Sequence, residues 1–342
     1  MHMADALLSA VVGGTMCAVS GSAIVGAVSK IKKDDLTEKK IPIMAVAGAF
    51  VFAAQMINFT IPGTGSSGHI GGGVLLAGLL GPFPAFLAIT AVLIIQCLFF
   101  ADGGLLALGC NIFNMGVIPC LLVYPLLCKP ILKKKITAPR ITASSIAAAV
   151  VALQLGAFAV VVQTQASGIT ELPFGVFLLL MQPIHLAIGL VEGIVTASVL
   201  CFVYKMRPEL LESTMLKKPL SNTVSIKRTV AIFAAITIIV GGGLSAFASQ
   251  YPDGLEWSMQ KAAGSTELKA KDKTIENSQT IQNAIAVMPD YKYKSQDSSP
   301  ATTPTAGLIG GALVFALAAG TGVLISKVKK NHHKLPICHS EP

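Results

Sequence analysis

Long apolar runs leave this chain few ways to fold. Ala6–Val28, Ile41–Pro62, Phe83–Phe100, Ile141–Val162, Phe174–Tyr204, Val230–Phe247 and Gly307–Ile325 are almost free of charge. Each approaches or exceeds the ~20 residues that carry a helix across a hydrocarbon core. Of the 342 residues, 53% are hydrophobic and only 13% charged; a soluble domain carries about 25% charged residues. The composition therefore points to an all-α polytopic membrane protein with about nine hydrophobic segments. One of them, Ile70–Gly81, is too short for a full span and is expected to be tilted or partly re-entrant.

The distribution of the cations gives an orientation. Of 26 Lys and Arg, 20 fall in four blocks: residues 30–40, 129–140, 205–228, and the tail from Lys327. The connections at 59–72, 101–104 and 164–173 hold none. By the positive-inside rule the basic blocks lie in the cytoplasm, with the N-terminus outside and the C-terminus inside. The net charge of +9 is thus explained by topology and anionic lipid, not by nucleic acid. No Lys or Arg precedes Ala6–Val28, so that run reads as a retained helix and not as a cleaved leader. The large His2 disfavours methionine excision, so the amine of Met1 is expected to remain.

Residues 62–73, PGTGSSGHIGGG, contain Gly63, Gly65 and Gly68 in the G-x-G-x-x-G spacing of dinucleotide loops. That spacing has meaning only between a buried strand and a helix in a βαβ unit. Here it follows a membrane segment on the outer side, and the residue of interest becomes His69. The Met1 amine, the His2 peptide nitrogen and the His2 imidazole can chelate one ion in fused rings, and His69 can supply a fourth nitrogen. Such an all-nitrogen, planar set suits Ni(II) or Cu(II), and Co(II) can adapt to it. The glycines would let the loop turn tightly enough for His69 to reach the amino terminus.

Other polar residues carry weaker readings. His185 and Glu192 share a face of one apolar run, and an intramembrane carboxylate is costly enough to need a partner; they read as structural or coupling residues. Asp5, Asn58, Asn111 and Asn114 are candidates for ordering the ligands by hydrogen bonds. His332, His333, Cys338 and His339 crowd the tail without a recognised ligand spacing. No P-loop occurs, no catalytic constellation is present, and the seven cysteines form no C-x-x-C. The chain reads as a non-enzyme without a catalytic cofactor.

The opening M-H-x-x-D, the G-H loop, ALGCNIFNMGVIP (107–119), HLAIGLVEGIVTASVL (185–200) and YKMRPELL (204–211) resemble the CbiM/NikM family. These are substrate-binding components of energy-coupling-factor transporters for nickel and cobalt. YPDGLEWS (251–258) is similar to the PDGLE module, related to the small CbiN/NikN component. The resemblance implies a metal-binding core at 1–222 with seven segments. A fused two-helix module at 223–342 follows, with an outer segment at 250–305. It implies metal held by Met1, His2 and His69, and partnership with a transmembrane coupling component and two cytoplasmic ATPases in a plasma membrane. The fusion favours nickel over cobalt as cargo. Two other readings are cobalt uptake for cobalamin synthesis and a self-contained transporter or channel using His185 and Glu192. Residues 300–305 read as a linker and 269–299 as a mobile tip. One departure from the family pattern is Ala6, where a glycine usually follows the acid.

Overall fold

The computed structural model describes residues 1–31, 36–216, 225–266, 268, 272–293 and 302–332. Among these described residues seven helices are long and apolar enough to cross a membrane: α1 (Ala10–Lys30), α4 (Pro82–Phe100), α5 (Leu108–Lys134), α6 (Ala138–Ser167), α7 (Phe174–Met206), α9 (Ile226–Phe247) and α12 (Thr302–His332). Two shorter apolar helices, α2 (Lys40–Gln55) and α3 (Gly73–Leu80), complete the nine expected segments. Helix is the natural answer for each, because a membrane core offers the backbone no water to bond.

The core is built around α2, α3 and α4. Nearly every residue of α2 is buried, and α4 contributes its own buried Leu87, Ile89, Val92 and Leu93 to the same apolar cluster. In contrast, α1 buries little of its surface and exposes Val11 and Val25. In α5, Pro119 and Pro125 sit inside a π-wound stretch, Phe113–Cys128; wider winding accommodates residues that cannot complete the α ladder. The α6–α7 pair packs closely where a side chain on Gly193 would strike the Ile146 backbone, 2.6 Å from its Cα. Small residues are what bring membrane helices this near.

The expected span Ile41–Pro62 is cut short. Helix α2 ends at Gln55, and residues 59–68 form a hairpin of β1 (Phe59–Ile61) and β2 (Ser66–Gly68). Gly63 and Gly65, at φ of 76° and 75°, make its turn, a conformation costly for any residue with a Cβ. Thus all three glycines of the nucleotide-like pattern serve a hairpin, Gly63 and Gly65 in its turn and Gly68 opposite Phe59 in its second strand.

The second module places α9 and α12 against α2. Between them lie two short helices, α10 (Gly254–Ala263) and α11 (Lys273–Ile285). The expected linker at 300–305 is corrected in part, since Thr302–Thr305 already form the first turn of α12. The segment read as a mobile tip holds α11, whose Ile275 is buried and whose Gln282 donates to the Cys97 carbonyl at 3.0 Å. The basic ends gather away from the N-terminus: Lys330 pairs with Glu38 at 3.0 Å and Lys329 donates to the Ser29 carbonyl at 3.1 Å. A short helix, α8 (Pro208–Met215), continues from α7 at that end.

Candidate metal centre

The first residues run inward, not away into solvent. Asn111, at the start of α5, clamps Met3 from both sides: its Oδ1 accepts from the Met3 N–H at 2.8 Å and its Nδ2 donates to the Met3 carbonyl at 3.2 Å. The Asp5 carboxylate accepts from the Ala107 N–H at 3.0 Å and from the Ser278 hydroxyl at 2.6 Å. Met3, Leu7 and Leu8 are fully buried. Their apolar burial and these bonds fix a segment that would otherwise fray.

This anchoring delivers the amino terminus to His69. The Met1 nitrogen lies 3.4 Å from His69 Nε2, and the His2 and His69 rings stack with centroids 5.3 Å apart. With metal–nitrogen bonds of roughly 2.0–2.1 Å, two nitrogens on one ion lie between about 2.9 Å, at right angles, and about 4.1 Å, when opposed. The amine–imidazole spacing falls within that range. The sequence-derived trio therefore converges, across a separation of 68 residues.

Both imidazoles are set in a definite tautomer by carbonyl groups, which can only accept. His69 Nδ1 faces the Ile70 carbonyl at 3.1 Å, so Nδ1 carries the proton and Nε2 turns its lone pair to the amine. For His2 the proton is fixed by a relay. Gln55 Nε2 donates to the Gly71 carbonyl at 2.8 Å, and Gln96 Nε2 donates to Gln55 Oε1 at 2.8 Å. Gln96 Oε1 is left to accept from His2 Nε2, 3.1 Å away. His2 Nδ1 then holds the lone pair; Asp102 Oδ1, 3.3 Å away and likewise an acceptor, would lie beside a cation bound there. Orientation of this kind is what fixes a metal-binding histidine.

Burial keeps the two imidazoles from taking up a second proton. Burial, then the Met1 ammonium and His2, push His69 down to about 3; burial also lowers His2, against the pull of Asp102. Burial works to raise the Asp253 carboxyl, but the Met1 ammonium and His69 outweigh it and hold it below the usual range. Asp253 Oδ2 accepts from the Met1 amine at 2.6 Å, and Asp102 Oδ1 lies 3.3 Å from His2 Nδ1. Two carboxylates thus rim three nitrogens. Below them is a cavity of about 30 Å³ lined by Met1, His69, Asn114 and Glu192, room for one water-sized body.

Several sequence expectations are redistributed. Glu192 accepts from the N–H groups of Gly71 and Gly72 at 2.7 and 3.0 Å, so it anchors the loop behind His69. His185 does not meet Glu192; its Nδ1 bonds the Met181 carbonyl at 2.8 Å and its Nε2 has no partner. Asn114 pairs with Gln163 at 2.8 and 3.0 Å and also faces the Met3 sulfur. Asn58 acts through its backbone, whose carbonyl accepts from Ser249 N–H at 2.8 Å, in place of the side-chain role expected. His333, Cys338 and His339 lie outside the described residues, as does the side chain of His332. Among the described residues no three His, Cys, Asp or Glu side chains gather as a metal cluster; the centre depends on the amine. Missed altogether were Gln55, Gln96, Asp102 and Asp253. Gln55 and Gln96 had a signal, as polar residues inside apolar runs.

Comparison with known proteins bears on what this centre is for. Residues 2–210 match the family model of CbiM, described as the cobalt uptake substrate-specific transmembrane region. The chain belongs to the CbiM family. Residues 227–327 match the PDGLE domain. A "Putative fused nickel transport protein NikMN" of Archaeoglobus fulgidus is 30% identical over 93% of this chain and 96% of its own length. The cobalt transport protein CbiM of Sorangium cellulosum is 31% identical over 50% of this chain and 76% of that protein. The crystal structure of a transition metal transporter superposes with a TM-score of 0.54 at 29% identity, covering 64% of this chain and 100% of that one. This CbiM-family chain is a multi-pass nickel or cobalt transport component, and its relatives are transport proteins, not enzymes.

Proposed function

We propose that this protein captures a divalent transition-metal ion, nickel in preference to cobalt, for an ATP-driven uptake system of the energy-coupling-factor type. The ion is held by the Met1 amine, the His2 peptide nitrogen, His2 Nδ1 and His69 Nε2. The observation that carries this reading is the 3.4 Å approach of the Met1 nitrogen to a His69 nitrogen whose lone pair the Ile70 carbonyl turns toward it. Among the described residues the His2 peptide N–H has no acceptor, leaving that nitrogen available to the ion. A soft-to-borderline nitrogen set suits the late first-row ions. Nickel is preferred because the relative that matches across both modules carries a nickel name.

The basic ends of the helices face the cytoplasm on this reading, and the centre faces outward in a plasma membrane. The coupling component and two ATPases dock from the lipid and the cytoplasm. The chain itself holds no P-loop, and ATP-driven transport therefore draws on separate subunits. His185 and Glu192 both bond backbone groups, which favours capture over a proton or ion relay within the chain.

The test compares Ni(II) and Co(II) binding to the native chain and to one acetylated at the Met1 nitrogen. Acetylation converts the amine to an amide and adds no new amine that could rebuild a chelate, so affinity should fall by roughly 100-fold. Equal binding by the two chains would refute the amino-terminal chelate.

A further inference from the structure

The second module reaches the candidate centre at several points. Asp253 caps α10, with Oδ1 accepting from Leu255 N–H at 2.8 Å and Glu256 N–H at 2.9 Å. Its other oxygen, Oδ2, accepts from the Met1 amine at 2.6 Å. Residues beside it hold the hairpin that leads to His69. Ser67 N–H donates to the Pro252 carbonyl at 2.8 Å, the Ser67 hydroxyl to the Tyr251 carbonyl at 2.7 Å, and Trp257 Nε1 to the Thr64 carbonyl at 3.0 Å. One short segment, 251–257, thereby grips both the amine and the strand before the imidazole. On the other side of the centre, the Tyr291 hydroxyl donates to Asp102 Oδ2, and Gln282 Nε2 donates to the Gly103 carbonyl at 2.7 Å. Asp102 Oδ1 is the oxygen beside His2 Nδ1.

We propose that the PDGLE module is a working part of the metal centre, in which Asp253 positions the Met1 amine and Tyr291 positions Asp102 against His2. The inference rests on the ligand set proposed above and adds two positioning residues to it. A chain terminus is the least constrained nitrogen a protein can offer. A metal-bound primary amine retains two N–H bonds, so the hydrogen bond to Asp253 survives coordination and aims the lone pair at the ion. The proton lost from the ammonium passes to solvent. The two rim carboxylates also offset the charge of a divalent ion in a partly buried site. Side chains that orient metal ligands commonly contribute 10–100-fold in affinity.

The test uses the full-length chain. Asn is as good an N-cap as Asp, so Asp253→Asn preserves the start of α10 while removing the anionic acceptor from the amine. Tyr291→Phe removes only the hydroxyl. Nickel affinity is measured by calorimetry, the visible absorption of bound nickel reports its ligand geometry, and thermal unfolding of the metal-free protein reports folding. The expected result is a loss of about 10–100-fold in affinity for D253N and a smaller one for Y291F. Each is expected with an altered nickel spectrum; D253N, which loses the ammonium–carboxylate pair, also unfolds at a lower temperature without metal, so the spectrum is the deciding reading. Native affinity and spectrum in both variants would overturn the proposal. So would an affinity loss that tracks a lowered unfolding temperature with an unaltered spectrum, because the module would then only support the fold. A native chain that binds neither nickel nor cobalt, or a His69→Ala variant that binds as well as native, sinks the ligand set itself.

Discussion

Glu192, midway along α7, holds the backbone of Gly71 through its carboxylate: Oε2 accepts from the Gly71 N–H at 2.7 Å while Oε1 takes that of Gly72 at 3.0 Å. A buried carboxylate from the membrane helix thus fixes the chain two residues beyond His69. Glu192→Ala leaves two buried N–H groups unpaired, at about 1–3 kcal/mol each. The variant should unfold at a lower temperature and bind nickel more weakly, as read by calorimetry on purified protein. Glu192→Gln retains one acceptor and should lie between the two. A fully native E192A would contradict the role assigned here.

The amide relay from Gly71 through Gln55 and Gln96 to His2 makes a sharper prediction, because it acts on tautomer as well as on stability. Gln96→Leu removes the acceptor at His2 Nε2 and the donor to Gln55. Nickel affinity should fall by roughly 10–100-fold, in the range for groups that orient metal ligands. Nitrogen NMR of the His2 ring should show the two tautomers mixed in the variant and one dominant in the native chain.

Acid should spare the imidazoles for longer than ordinary histidines would allow. His69 is pushed down to about 3 and His2 is lowered, burial being the first cause of both. In ring NMR of the metal-free protein, His69 should stay neutral from pH 7 down to pH 5, where a free histidine, with a pKa of about 6.5, has titrated. The consequence for stability has a definite sign. A depressed folded-state value means that the unfolded chain takes up the proton first, so stability present above about pH 6.5 is lost as pH falls toward about 3. Unfolding temperature against pH should flatten across that window in His69→Gln.

Much of this arrangement could be read from the residues. The nine apolar segments followed from hydropathy, and Met1, His2 and His69 followed from donor chemistry once the loop was placed beside the N-terminus. The hairpin at 59–68 was hidden because its apolar Phe59 and Ile61 continue the hydropathy of α2 past Gln55 and Asn58 with no charged residue between. Asp253 was visible only as a motif letter, since nothing local says that a residue 252 positions away meets the amine. Asp102 was likewise unmarked in a short loop. Gln55 and Gln96 did stand out as polar residues in membrane runs, but their direction of donation became clear only from the Gly71 carbonyl at the end of the relay.

The central claim is that an amino terminus and two histidines hold the ion through nitrogen. X-ray absorption at the nickel edge of the loaded full-length chain measures this directly. The account predicts a first shell of nitrogen only, with the outer-ring scattering of two imidazoles and metal–nitrogen distances of about 2 Å. A shell containing sulfur from Met1 or Met3, or one dominated by carboxylate oxygen from Asp102 and Asp253, would contradict it.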